Sequence, residues 1–204
     1  FDLLCQQTPF KIDPTQQADY KKELDKKIGL FQNKWDQNAV NLISDSEKAA
    51  GRKFNRKEYS VALSACGWIP MGDPVFLVVA LPYLGPERKS RGFNLPMNLN
   101  AFVSMTHHEL LHSLVDNIEN VEFANSSSLL EKYKGEQYNV LVHLHLMAIQ
   151  KAAYTRLNSK ELLTATDLLY SYIGGDYLRA WQIVGTEGPE KFLNELQLFN
   201  SKRK

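Results

Sequence analysis

Along the first quarter of the chain, hydrophobic positions recur every three or four residues: Tyr20, Leu24, Ile28 and Phe31, continued by Trp35, Val40 and Ile43. That period matches the turn of an α-helix, so the spacing predicts an amphipathic helix from Asp13-Pro14-Thr15 to Gly51, with Gly29 as a candidate break. The period then shortens. Tyr59 to Ala65 alternates, and Val75 to Leu81 is a short β-rich run bounded by Gly72-Asp73-Pro74 and Pro82, which predicts two strands joined through Trp68 to Pro74. Leu84 to Asn100 holds glycines, prolines, asparagines and the basic group Arg88-Lys89-Ser90-Arg91, and reads as an exposed loop.

Helical spacing returns from Ala101 to Asn117, with Asn100 as N-cap and Phe102, Met105, Leu110, Leu111 and Leu114 as apolar positions. After a polar connection around Asn125 to Ser128, a further helix is expected from about Glu136 to Tyr154. Its run Tyr138 to Ala153 is apolar on most sides, so it should be buried. Ser159 opens a helix to Ile173 that Gly174-Gly175 stops, and Asp176 and Pro189 open two more. The expected fold class is α+β, mostly helical, with a small sheet in the first half and helices in the second. No repeat or linker divides the chain, so residues 1–204 are read as one domain.

Composition changes this picture mainly by exclusion. With Lys+Arg 24 against Asp+Glu 23 the formal charge is +1, which leaves no basic excess to neutralise a nucleic-acid backbone. The longest apolar run, Val75 to Leu81, is far short of the roughly 20 residues that span a bilayer, so no membrane span is expected. A first residue of Phe rather than Met suggests a removed leader and hence export, periplasmic or secreted. The two cysteines, Cys5 and Cys66, allow one disulfide or two thiols.

The chemistry concentrates in one place. All 5 histidines (107, 108, 112, 143 and 145) lie within one stretch, and His108-Glu109-Leu110-Leu111-His112 falls on a predicted helix. Residues four apart on a helix share a face, so His108 and His112 can put ring nitrogens on one Zn2+, with Glu109 beside it as general base for a metal-activated water. Chance alone produces such a motif in about one chain in a hundred of this composition. A catalytic zinc takes a third protein ligand. His143 and His145 are two apart and cannot face the same way. His143 shares a mixed seam with Glu136, Asn139 and Gln150 and is favoured; His145, on the most apolar stripe, and Glu131 and Glu136 are the alternatives. Asp116, one turn past His112, is placed to orient that ring from behind. A hydrogen-bond donor opposite Glu109 is sought among Tyr138, Tyr170, Tyr172 and Tyr177.

Thr106-His-His-Glu-Leu-Leu-His-Ser-Leu-Val-Asp116 resembles the active helix of zincin metallopeptidases, and the whole resembles a secreted bacterial zincin. Val115 and Ile118 stand where metzincins carry glycine and a third histidine, which excludes that subclass. The resemblance implies a zincin-like fold, a peptide or protein substrate bound along the strand Val75 to Leu81 by strand addition, and zinc-dependent hydrolysis of amide bonds. The alternative is a noncatalytic zinc-binding, protein-interaction domain of the same fold.

Overall fold

The computed structural model describes residues 14–64, 71–73, 76–80, 99–115 and 119–203. Asp116, Cys5, Cys66, the end of the helix expected to reach Asn117, and nearly all of the loop expected over Leu84 to Asn100 lie outside them.

Helix α1 (Pro14–Ala50) is a single element of 37 residues, started by proline at its first position. It runs through Gly29 unbroken, because a helical glycine costs only about 1 kcal/mol against alanine. Among its described side chains Phe31, Leu42, Ala49 and Ala50 are buried, while Ile28, Leu30 and Val40 are exposed. Gly51 takes a left-handed φ of 69° and ends the helix. The carbonyls left open there are closed from the far end of the chain. Gln197 Nε2 donates to Ala49 O at 3.0 Å, and Asn200 Nδ2 donates to Ala50 O at 2.8 Å.

Three short strands follow, β1 (Ser60–Ser64), β2 (Met71–Asp73) and β3 (Phe76–Ala80), in the order β1-β3-β2. β1 and β3 are parallel, and β2 pairs antiparallel with β3 inside the segment expected to be a turn. The rest is helical: α2 (Leu99–Leu111), α3 (Val121–Ser126), α4 (Ser128–Lys132), α5 (Tyr138–Arg156), α6 (Lys160–Ile173), α7 (Gly175–Glu187) and α8 (Pro189–Ser201). The polar connection around Asn125 to Ser128 is itself helical, with Ser127 accepting from Leu130 N to start α4.

The α+β, zincin-like expectation is therefore corrected: the fold is helical. The core is built by helices packing on α5, which is buried on all sides from Val140 to Gln150 and contacts α1, α2, α6, α7 and α8. The small sheet flanks α2 and forms no layer on which helices are laid. Nor do Phe76 to Val78 of β3 offer an open edge for substrate, since they pair with β1 on one side and β2 on the other. No helix among the described residues is long and apolar enough to cross a membrane.

Candidate metal centre

Helix α2 is buried from Ala101 to Leu111 and ends sooner than its sequence suggests. Asn100 lies inside its first turn rather than capping it. At the other end Ser113 N bonds Leu110 O at 3.1 Å and Leu114 N bonds Leu111 O at 2.9 Å, three-residue links that tighten the last turn. Ser113 Oγ adds a bond to Leu110 O at 2.7 Å. His112 is thus the first residue past the helix, held in a capped turn, with its ring centroid 5.1 Å from that of His108.

From α5, His143 completes a triangle. Its ring lies 5.1 Å from His108, nearly parallel at 17°, and 5.2 Å from His112, nearly perpendicular at 84°. One nitrogen from each of the three falls within 4.8 Å of the other two. Among the described residues this is the group of side chains with metal-ligand spacing.

The protonation of the rings is set from behind. His143 Nδ1–H donates to Asn139 O at 2.6 Å, so Nε2 carries the lone pair. His108 Nδ1 meets the Tyr170 hydroxyl at 2.7 Å. The Nε2 atoms of both rings are buried with no hydrogen-bond partner. Orphaned lone pairs of this kind are costly unless something accepts them, and a cation does. Burial holds all three imidazoles below their usual range, His112 to about 4, and the neighbouring rings add to the effect on His108 and His112. Neutral imidazoles are the ligand form. The donor set therefore fits Zn2+: three nitrogens, with His112 partly exposed.

Glu109 is buried, and burial pushes its carboxyl up to about 8. Its charge helps to raise the hydroxyls of Tyr170 and Tyr177. Tyr177 lies 4.6 Å from the His143 ring and 5.7 Å from that of His108, its hydroxyl pushed up to about 12, chiefly by burial and then by Glu109.

No family model, curated protein or solved structure matches the chain. His108, His112 and His143 converge; His145, Glu131 and Glu136 do not join them. His145 faces the core and bonds Glu195 at 3.0 Å. Glu131 is exposed and paired with Lys134, and Glu136 is paired with Arg179. Gln150 escapes the sequence reading as part of this site, and Tyr170, sought there as a donor opposite Glu109, is found behind His108 instead. Gln150 could have been found, because it stands seven residues, two helical turns, beyond His143 on the same seam. Tyr170 comes from a different helix, and no local spacing ties it to His108.

Proposed function

We propose that the chain is a zinc-dependent hydrolase acting on amide bonds, with His108, His112 and His143 as metal ligands and Glu109 as general base. The observation that carries this reading is the convergence of His108, His112 and His143, with two buried, partnerless Nε2 atoms among them, on a helix that also holds the buried carboxyl of Glu109. When bound, zinc supplies a Lewis acid and makes water acidic near neutral pH. A dication also pulls the Glu109 carboxyl down from its metal-free value, so that it can accept a proton.

Glu109 takes a proton from the attacking water as the water oxygen bonds the carbonyl carbon. It returns that proton to the amide nitrogen as the C–N bond breaks. Tyr177, neutral because its hydroxyl is held high, is the available donor for the carbonyl oxygen as negative charge develops there. Nothing in this scheme needs a substrate strand on β3.

The second reading, a noncatalytic zinc-binding domain, is favoured by enclosure: His108 and Glu109 are each only 3% exposed. One experiment separates the two. Protein purified without chelator should carry close to one equivalent of zinc and cleave members of a peptide library. Glu109→Gln should keep the zinc and lose about 100- to 10,000-fold in turnover. Zinc with no cleavage in the wild type would favour the binding domain, and the absence of zinc would sink both.

A further inference from the structure

The hydrogen bonds behind His108 run in one direction, and a backbone carbonyl sets it. Gln150 Nε2 lies 2.9 Å from Ser104 O, which can only accept, so the amide is fixed with its nitrogen toward Ser104 and its Oε1 toward Tyr170. The reverse orientation would oppose two acceptors. Ser104 Oγ at 3.2 Å and the Tyr154 hydroxyl at 3.1 Å also surround that nitrogen. The Tyr170 hydroxyl lies 2.6 Å from Gln150 Oε1 and commits its single proton there. It can then only accept from His108 Nδ1, 2.7 Å away. That nitrogen carries the hydrogen, and the lone pair sits on Nε2, the atom buried without a partner. Tyr170 itself is held edge-on by Trp181 at 5.2 Å, whose Nε1 donates to Asp167 Oδ1 at 2.6 Å.

We propose that Gln150 and Tyr170 are positioning residues: a neutral relay, ending on an amide, that locks His108 as the Nδ1–H tautomer and aims its Nε2 at the metal position before any metal arrives. The inference rests on the zinc reading above. Its chemical content is the identity of the terminus. A carboxylate behind a ligand histidine draws the ring proton toward itself and makes the ligand more basic. An amide oxygen reached through a phenol cannot take that proton, so His108 stays a neutral donor and the full charge of the dication remains in the site. His143 is preset by a shorter route, its own helix carbonyl at Asn139. Two of the three ligands therefore need no tautomer change on binding.

The test reads tautomer and affinity separately. In nitrogen-15-labelled, metal-stripped protein at neutral pH, long-range proton–nitrogen correlation should show His108 and His143 as Nδ1–H forms. Tyr170→Phe keeps the ring against Trp181 and removes the relay. It should turn His108 into a mixture of tautomers and weaken zinc, measured by competition with a chelator, about 10- to 100-fold with unchanged circular dichroism. An Nε2–H His108 in the wild type overturns the proposal even if zinc binds normally. So does a Tyr170→Phe affinity within about twofold of wild type. A wild type that takes up no zinc overturns the metal reading and the relay's purpose together, an outcome distinguishable because the tautomers are read without metal. If Tyr170→Phe does not fold, the wild-type tautomer decides alone.

Discussion

His143 and His145 stand two residues apart on α5, both buried, and each leaves one ring nitrogen without a hydrogen-bond partner. They differ in company. His143 turns its free Nε2 toward two other imidazoles, whereas His145 sits edge-on to Phe123 and Phe192 and donates from Nε2 to Glu195. Burial outweighs the attraction of Glu195, so the His145 ring is neutral and the contact is a hydrogen bond rather than an ion pair. Glu195 shows the complementary balance. Partial burial alone would raise its carboxyl, yet bonds from His145, Ser127 and Ser128 hold it at about 2, and Leu129 N–H joins them at 3.0 Å. One histidine ties α5 to α8, where Glu195 in turn holds the start of α4; the other belongs to a candidate metal site. Converging lone pairs separate the two, while burial and histidine identity do not.

Acid should break both sides at once, and is expected to have the largest effect. Burial depresses His107 to about 3, so as pH falls below 6.5 the unfolded chain takes up the proton first and stability drains away down to that value. His107 alone accounts for roughly 4–5 kcal/mol, with His143 and His145 acting in the same direction. Denaturant titrations of metal-free protein would refute this if stability stayed flat from neutrality down through that window.

Removing each histidine in turn sharpens the contrast. A structural zinc site is worth about 10–16 kcal/mol over four ligands, so His143→Ala should cost roughly 3 kcal/mol of zinc binding, on the order of 100-fold. His145→Ala should leave zinc affinity within a few-fold and lower the unfolding free energy instead. Equal zinc affinities for the two variants would erase the distinction.

The alkaline side isolates Glu109. Its folded value of about 8 lies above the ordinary 4.5, so its contribution is full below 4.5 and is lost as pH rises through 8. Up to 6.5 the histidines oppose that loss; beyond it metal-free protein should lose about 2 kcal/mol by pH 8. Glu109→Gln should abolish the decline. The smallest effect expected is from Glu195→Gln, about 1–2 kcal/mol of stability with zinc affinity unchanged. The carboxylate's contribution is present above 4.5 and disappears as pH falls through about 2, so the variant and wild type should converge in strong acid.

Much of the cluster is legible in the sequence because its cues are local. The four-residue spacing of His108 and His112, and the mixed seam that separates His143 from His145, are properties of single helices. The boundaries of α1, α6, α7 and α8 follow from proline, serine and glycine in the same way. Long-range facts are not encoded locally. Nothing near Phe76–Ala80 says that a strand from the expected turn will cover its second edge, and nothing near Tyr170 says that it will meet a histidine 62 residues away. Strand patterns report local extension and not how much core rests on a sheet, so they do not tell a zincin-like fold from helices with a small sheet at their flank.

The clasp between α1 and α8 has a consequence in time. Asn200 closes Ala50 O across 150 residues of sequence, so the open carbonyl end of α1 cannot find its native partner until nearly all the described chain exists. At about 5–20 residues per second of synthesis, that is a wait of roughly 8–30 s, with α2 and α5 already made to cover the apolar side of α1 but its last carbonyls still bonded to water. The last helix to be made therefore closes the end of the first.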